Sequence, residues 1–284
     1  MNPIDARALS RRHAMRLSAG ALLSLGMWPG SVGARETRNE NFRFIVINDT
    51  HYMSDDCGGF LDRVVQQMRW HRGVEFCLLV GDLVEKGHRD HLSAVRDIFR
   101  GLRMPVYTVP GNHDCLTNTD RTAYDDLFSG RSNYWFEHGG WQFVGLDTTQ
   151  GSAYEKTKVQ PATLRWVDEN VSKLERAKPT VVFTHFPLGD KVRYRPQNAE
   201  ALLDKLRPLN LRAVFNGHFH GFTQREFAHA PVTTNRCCAL KRFNHDKTTE
   251  KGYFLCTAKD GAVTREFIEV LMRPHLQPGR RVAA

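Results

Sequence analysis

The sequence predicts an α/β fold, in a single domain with two β-sheets and helices outside them. From residue 42 to about residue 220, short apolar runs alternate with segments of helical periodicity, as expected of strands and helices in this class. After about residue 220 the helical pattern stops and a period-two alternation predicts antiparallel strands. The 284 residues are 41% hydrophobic and 25% charged, which argues against disorder and against a polytopic membrane protein.

Six short runs rich in β-branched and aromatic residues predict buried strands. They span residues 42–47, 75–80, 105–109, 141–146, 180–184 and 212–216. Helices are predicted between several of them, over residues 60–71, 89–101 and 161–174. The third helix has Pro161 in its first turn, where proline is favoured. This alternation of strand and helix is typical of an α/β domain.

Later stretches of the chain predict antiparallel strands in FTQREF, GYFLCTA and VTREFIEV, where apolar and polar residues alternate. The segment NYWFEHGGWQFVGLD predicts a hairpin that turns at Gly139 and Gly140. Together with the earlier strands these segments form two sheets. The predicted domain spans residues 35–272, and a polar tail follows over residues 273–284.

Residues 1–34 predict a bacterial export signal of the twin-arginine type. Arg11 and Arg12 precede an apolar run over residues 17–28 and a small-residue stretch at 32–34, although the usual Phe-Leu pair after the arginines is absent. An uncleaved anchor and a cytoplasmic tail are the alternatives, but the run is shorter than the roughly 20 residues of a spanning helix. We therefore expect the twin-arginine export machinery as a partner of the precursor, no membrane span in the mature form, and a periplasmic or secreted location.

Removal of residues 1–34 would lower the net charge from +9 by 3, to +6. A basic balance of this size suits an anionic substrate, and it also serves solubility alone. The six cysteines form no CxxC pair, so they indicate neither a zinc ribbon nor a thioredoxin motif. Cys77 and Cys256 lie in apolar runs and are expected to be buried thiols, whereas a disulfide between Cys57 and Cys115 remains open.

Polar side chains follow five of the predicted strands at the points where those strands end. The stretches are Asp49-x-His51, Gly81-Asp82, Asn112-His113-Asp114, His185 and Gly217-His218-x-His220. In open α/β sheets the carboxyl ends of strands border the crevice where ligands bind, so these five stretches are expected to converge. A single loop histidine or a single Asp after a strand is usually solvated or a turn former. Five such stretches in one chain predict a site.

Carboxylate, imidazole and amide donors suit borderline divalent ions such as manganese, zinc and iron. There are too many of them for one ion. The seven candidates fit two ions that share one bridging carboxylate, and they are Asp49, His51, Asp82, Asn112, His185, His218 and His220. Pairs of metal ions suit in-line displacement at phosphorus.

In order, these stretches resemble the motifs of the calcineurin-like metallophosphoesterases, which are D-x-H, G-D-x-x-D/N, G-N-H-D/E, H and G-H-x-H. The resemblance covers Asp49 to His220. It implies a four-layer α/β/β/α sandwich of two mixed β-sheets with helices on both outer faces. It also implies that one ion binds Asp49, His51, Asp82 and His220. The second ion would bind Asp82, Asn112, His185 and His218.

The same resemblance implies that His113 is the catalytic histidine that binds no metal, and that Asp114 orients its ring by a hydrogen bond. The implied cofactors are two divalent or trivalent ions of manganese, iron or zinc. The implied reaction is hydrolysis of a phosphate ester, in which metal-bound hydroxide attacks and His113 assists the leaving group.

Glu85 departs from the pattern, because most members have Asp or Asn at this position and purple acid phosphatases have a tyrosine ligand. It is open whether Glu85 stands behind a metal ligand, is solvated or binds metal itself. Arg193 and Arg195 follow His185 and are candidates for gripping a second anionic group on the substrate, although a solvated basic loop is the alternative.

We expect a small organic or nucleotide substrate, as a phosphomonoester or phosphodiester, because the loops between the motifs are short and no capping domain is evident. A phosphoprotein phosphatase and a nuclease of the same superfamily are the alternatives. Export and the lack of an added DNA-binding domain argue against a stable nucleic-acid complex. A metal-dependent binding protein without turnover is a further alternative.

Overall fold

The computed structural model describes residues 41–271, and every structural statement below refers to that range. The predicted export signal at 1–34 and the whole polar tail at 273–284 lie outside the described residues. Among residues 41–271, none of the helices combines the length and the hydrophobicity of a membrane-spanning segment.

The described chain contains eleven strands. In chain order they are β1 (Phe42–Ile47), β2 (Val74–Val80), β3 (Val106–Val109), β4 (Tyr134–His138), β5 (Trp141–Leu146), β6 (Pro179–Thr184), β7 (Asn210–Asn216), β8 (Thr223–Phe227), β9 (Ala230–Thr234), β10 (Gly252–Lys259) and β11 (Ala262–Glu269). The α-helices in the same range are α1 (Asp55–Met68), α2 (Arg89–Arg100), α3 (Thr122–Leu127), α4 (Pro161–Val171) and α5 (Ala199–Leu206). A single 3₁₀ turn covers Asn112–Asp114.

The strands form two mixed sheets. The first has the order β11-β10-β1-β2-β3, in which β1, β2 and β3 are parallel and β10 and β11 are antiparallel. The second has the order β4-β5-β6-β7-β9-β8, with a parallel centre and an antiparallel strand at each edge. The parallel strands place several carboxyl ends along the same edge, where the predicted polar stretches follow them.

Aromatic side chains fill the space between the sheets. Phe44 and Phe76 of the first sheet pack with Phe143, Phe183 and Phe215 of the second in one buried cluster. The outer face of the first sheet is covered by α1 and α2, and that of the second by α4 and α5. These contacts confirm the four-layer α/β/β/α sandwich, since each sheet buries one face on its partner and the other under helices.

All six predicted early strands are present with ends within two residues of the prediction. The predicted hairpin is also present, and its turn residues Gly139 and Gly140 have φ of 53° and 78°, as a tight hairpin turn requires. The prediction of α1 began five residues late because Gly58 and Gly59 weaken the helical signal in its first turns. The short elements α3, α5 and β9 were not predicted.

The possible disulfide does not form. Cys57 lies in α1 and Cys115 follows the 3₁₀ turn, and both are buried free thiols. Cys77 and Cys256 are buried free thiols, as predicted.

Candidate metal centre

The loops that carry the predicted ligands have an unusual backbone. Asp49, His51, Asp82, His218 and His220 all have positive φ, between 42° and 64°. Residues with a side chain rarely adopt this left-handed conformation, because the Cβ atom approaches a carbonyl oxygen. Strain of this kind persists only where the surrounding structure enforces it, and its concentration in five predicted ligands indicates a functional site.

Hydrogen bonds between the loops hold this backbone in place. Asp49 N donates to Gly81 O over 3.0 Å, and His51 N donates to Asp82 O over 3.1 Å. From the second sheet, Gly217 N donates to His185 O over 2.9 Å. The loops of each sheet therefore brace one another before any ligand binds.

Glycine is required at two motif positions, because the backbone there lies close to a carboxylate. A Cβ atom at Gly111 would lie 2.1 Å from Asp82 Oδ1, and one at Gly217 would lie 2.5 Å from Asp49 Oδ2. Both distances are impossible for a non-bonded carbon. The glycines of the G-N-H-D and G-H-x-H stretches thus allow the backbone to lie directly against the two carboxylates.

The predicted ligands converge into two groups that share one carboxylate. Each group has ligand atoms within 4.8 Å of one another. The first group contains Asp49, His51, Asp82 and His220. The second contains Asp82, His185 and His218. Asp82 belongs to both, and all these side chains are buried, as a bridging arrangement would need.

The first group has the spacing of ligands around a cation. His220 Nε2 lies 3.1 Å from Asp49 Oδ1 and 3.0 Å from His51 Nε2. His51 Nε2 is also 3.5 Å from Asp82 Oδ2. Two ligand atoms at a right angle on an ion with bonds of about 2.1 Å are about 3.0 Å apart, so a metal ion suits this group.

The second group contains polar atoms without partners. Among the described residues, His185 Nε2 and Asn112 Oδ1 are buried and make no hydrogen bond. His185 Nδ1 donates to Val80 O over 3.1 Å, so Nε2 is the nitrogen that faces the shared Asp82 carboxylate, 3.2 Å from its Oδ2 atom. His218 Nε2 donates to Tyr154 O over 2.8 Å, which leaves His218 Nδ1 with a lone pair. Buried acceptors of this kind fit a cation.

The buried carboxylates and histidines of the site shift the pKa values of one another. Burial alone would raise the pKa of Asp82, but the charges of His185, His113 and His51 outweigh it and hold that pKa well below its ordinary value. Burial would lower the pKa of His185, but the Asp82 carboxylate raises it to about 9. In His218, burial and the charge of His185 lower the pKa to about 3, so this ring is in the neutral form that binds metals.

Glu85 stands behind the first group. Its Oε2 atom lies 3.1 Å from His51 Nδ1, so the carboxylate fixes the ring with Nε2 toward the other ligands. Arg242 Nε donates to the same oxygen over 2.9 Å, and Arg242 Nη2 donates to Oε1. Burial opposes ionisation of Glu85, but the bonds from His51 and Arg242 lower its pKa to about 2. The position that departs from the motif is therefore a charged carboxylate that bonds the predicted ligand His51, and Glu85, His51 and His113 form a third group whose ligand atoms lie within 4.8 Å of one another.

The predicted role of Asp114 is wrong. Its Oδ1 atom accepts hydrogen bonds from Leu83 N and Val84 N over 2.8 and 3.2 Å, and its Oδ2 atom accepts one from Gly111 N over 2.8 Å. Asp114 thus ties two loops together, because the 3₁₀ turn directs its side chain toward the backbone. Burial and the nearby Asp82 charge raise the pKa of Asp114 to about 7.

The ring of His113 is oriented by a backbone carbonyl instead. His113 Nδ1 donates to Glu85 O over 2.7 Å, which leaves Nε2 for another partner. The backbone N of His113 donates to Asp82 Oδ1 over 2.9 Å, so the shared carboxylate also fixes the position of this residue. His113 lies outside both ligand groups that share Asp82.

The ligands border an open cavity of about 370 Å³. Five of the lining residues are predicted ligands or the catalytic candidate His113. They are Asp82, Asn112, His113, His218 and His220. Its remaining lining residues are Ser152, Tyr154, Tyr194, Arg242 and His245. None of the latter five was predicted, because they lie in loops without a recognisable motif.

Neither predicted substrate arginine lines this cavity. Arg195 Nε donates to Leu188 O over 2.8 Å, and Arg195 Nη2 donates to Glu200 over 2.7 Å. The guanidinium of Arg193 lies over the ring of Tyr194, 4.5 Å from its centroid. Direct contact of these two arginines with substrate stays a prediction, and Arg242 is the arginine at the cavity surface.

The chain matches a known protein family. The sequence profile of the family described as "Calcineurin-like phosphoesterase" matches residues 42–222. This range begins with β1 and ends just after the G-H-x-H stretch, so it contains every predicted metal ligand.

Two bacterial relatives are phosphodiesterases by name. A glycerophosphodiester phosphodiesterase of Enterobacter lignolyticus is 28% identical over 209 residues, which cover 66% of this chain and 74% of the relative. A protein of Fibrobacter succinogenes named as a probable cyclic nucleotide phosphodiesterase is 26% identical over 160 residues, which cover 52% of this chain. The match spans 59% of the length of that relative.

Among solved structures, a purple acid phosphatase from yellow lupin superposes with a TM-score of 0.58. The match covers 82% of this chain and 52% of the phosphatase chain at 13% identity. At this identity the likeness shows the fold alone, and it agrees with the two-sheet sandwich described above.

Proposed function

Because the chain belongs to the calcineurin-like phosphoesterase family, we propose that it hydrolyses small phosphodiesters with two metal ions bound at the shared Asp82. The observation that carries this proposal is the pair of ligand groups with one carboxylate in common. A single ion would leave either Asp49, His51 and His220 or His185 and His218 without a function. The unpaired Asn112 Oδ1 adds an oxygen donor to the second group.

Manganese, zinc and iron are the ions that this donor set favours, since nitrogen and oxygen ligands are mixed and thiolate is absent from it. When bound, such ions polarise phosphoryl oxygens and lower the pKa of water, which supplies a nucleophile near neutral pH. Asp49, His51 and His220 would hold one ion, and Asn112, His185 and His218 the other. Asp82 would join the two.

We propose that His113 assists the leaving group. Its Nδ1 atom donates to Glu85 O, so Nε2 is the ring nitrogen left at the cavity surface, and it has a proton to transfer when the ring is an imidazolium cation. In the proposed reaction this proton passes to the departing ester oxygen, which then leaves as an alcohol. The hydrogen bond from His113 N to Asp82 Oδ1 keeps the ring at a fixed place beside the ligands.

Two features support a small phosphodiester as the substrate. The cavity of about 370 Å³ has the size of a small-molecule site. Two relatives are named as enzymes that act on glycerophosphodiesters and on cyclic nucleotides, both of which are phosphodiesters.

The proposal is tested by metal analysis and turnover on the purified protein loaded with manganese, zinc or iron. We expect about two ions per chain by elemental analysis, and hydrolysis of bis(p-nitrophenyl) phosphate in preference to p-nitrophenyl phosphate. A preference for the monoester would identify a phosphomonoesterase instead. Metal binding without turnover of either ester, with any of the three ions, would identify a binding protein.

We also propose that the protein is exported to the periplasm or secreted, through the twin-arginine machinery. The arginine pair at 11 and 12 and the apolar run at 17–28 support this location. The test is replacement of Arg11 and Arg12 by lysine in the full chain expressed in a bacterium with that machinery. The wild type should be found outside the cytoplasm and the double variant within it, and an equal distribution of the two would refute this route.

A further inference from the structure

One side of the metal cavity is formed by aromatic rings. Tyr154, Tyr194 and His245 line the same cavity as the predicted ligands, and together we call them the aromatic wall. Neighbouring rings in the wall are close, with centroids 6.3 Å apart for Tyr154 and Tyr194 and 6.0 Å apart for Tyr194 and His245. The ring of Tyr194 is also 5.3 Å from that of the ligand His218.

The wall is attached directly to the metal centre. Tyr154 O accepts the hydrogen bond from His218 Nε2 over 2.8 Å, and His245 N donates to His220 O over 2.7 Å. Each bond joins one member of the wall to one histidine of the G-H-x-H stretch. The distance between the wall and the metal ligands is therefore fixed by the same contacts that orient those ligands.

Two members of the wall have an arrangement that stability alone does not explain. Tyr194 has a φ of 67°, in the left-handed region that a residue with a side chain rarely adopts. Its ring is backed by Arg193, which stacks on it at 4.5 Å. Tyr154 is 55% exposed, so a large ring at the cavity surface is left largely uncovered. A planar group bound in the cavity would cover it.

We propose that the aromatic wall binds the base of a nucleoside phosphodiester. This inference rests on the proposed phosphodiesterase function and names its substrate class. Each base presents a planar π face, and stacking on aromatic side chains contributes about 1–3 kcal/mol per base. A glycerol group has no such face. A quaternary ammonium group also favours aromatic rings, but here it would meet the positive charges of Arg242 and Arg193.

The test compares matched substrates with and without a base. They are adenosine 5′-phosphate methyl ester and ribose 5-phosphate methyl ester, assayed by chromatographic measurement of the products. For the wild type, kcat/KM should be about tenfold or more higher for the adenosine ester, since stacking at this level contributes a factor of that size. Tyr154→Ala should remove most of this preference, because it should lower kcat/KM for the adenosine ester far more than for the ribose ester.

Two variants serve as controls. Tyr154→Phe keeps the ring and should keep the preference for adenosine. Trp70→Ala removes an aromatic side chain that is 43% exposed and is not among the residues lining this cavity, so both kcat/KM values should be unchanged. Equal kcat/KM values for the two esters in the wild type, or an equal loss on both in Tyr154→Ala, would overturn the proposal.

A binding measurement separates this proposal from the proposed reaction. Calorimetry with the metal-loaded protein should give a tighter Kd for adenosine 5′-phosphate than for ribose 5-phosphate, by about tenfold, and Tyr154→Ala should equalise them. This result would support the wall even if no ester were hydrolysed. Hydrolysis of bis(p-nitrophenyl) phosphate together with equal Kd values for the two phosphates would refute the wall and leave the proposed reaction standing.

Discussion

The two sides of the cavity are built differently. The metal side consists of short loops at the ends of strands, whose side chains are almost completely buried and whose backbone is strained at five ligands. The other side comes from longer loops, and it presents partly exposed rings and the Arg242 guanidinium. The sandwich therefore holds the predicted metal ligands in place, whereas the partly exposed loops are where we expect the substrate to be selected.

The largest effect is expected on the metal side, at the shared carboxylate. Asp82→Asn retains the size of the side chain and tolerates the left-handed backbone, but it removes a negative charge from both ligand groups. We expect a loss of bound metal, measured by elemental analysis, and a fall in kcat of about 10²- to 10³-fold for bis(p-nitrophenyl) phosphate. Asp168→Asn, which alters an exposed carboxylate on α4, is the matched control and should retain both. Full metal occupancy in Asp82→Asn would contradict the shared ligand.

His113 should show that chemistry and metal binding are separable on this side. His113→Ala is expected to lower kcat by about 10²- to 10⁴-fold, because proton transfer to the leaving oxygen is lost. Its metal content should remain equal to that of the wild type, since the ring lies outside both ligand groups that share Asp82. Loss of metal together with activity would place His113 among the ligands. The fall in kcat should be smaller for substrates whose leaving group is a weak base, such as p-nitrophenolate, than for substrates that release an aliphatic alcohol.

The convergence of the predicted ligands could be predicted because each of their five stretches follows a strand, and three of the five contain a motif glycine. The direction of a side chain within a turn could not be predicted from the sequence. For that reason Asp114 was predicted to face His113, whereas it accepts hydrogen bonds from three backbone N–H groups. Arg242 was missed because it pairs with Glu85 from 157 residues away. The aromatic wall was also missed, since long loops have neither helical nor strand periodicity.

Glu85 connects the two sides, because it bonds the predicted ligand His51 and Arg242 at the cavity surface. Glu85→Gln should weaken metal affinity by about 10- to 100-fold, as found for other residues that orient a ligating histidine. Titration of the chelator-treated protein with manganese measures this change. An unaltered affinity would show that His51 is held by its other contacts.

The same pair predicts a pH dependence of stability in the metal-free protein. The pKa of Glu85 is lowered to about 2 in the folded protein, below its value of about 4.5 in the unfolded chain. A depressed pKa stabilises the fold above the unfolded value, and the contribution is lost as the pH falls from about 4.5 toward 2. The Tm difference between wild type and Glu85→Gln should therefore be constant from pH 5 to 7 and shrink below about pH 4.5. A difference that grows on acidification would show the opposite sign.

The smallest effects are expected at the two arginines that the sequence suggested for substrate binding. Arg195 bonds Glu200 and Leu188 O, so Arg195→Ala should cost about 0–1 kcal/mol in the free energy of unfolding, as for other ion pairs near the surface, with kcat/KM within about twofold of the wild type. Arg193→Ala removes only the guanidinium that stacks on Tyr194, so it should lower kcat/KM for the adenosine ester more than for the ribose ester.

Arg242→Ala, by contrast, should lower kcat/KM for both esters, because it removes the partner of Glu85 as well as a charge at the cavity. If Arg195→Ala lowered kcat/KM as much as Arg242→Ala, we would conclude that the loop after His185 moves over the cavity during turnover. The proposed distinction between the metal side and the loops that bind the substrate would then be wrong.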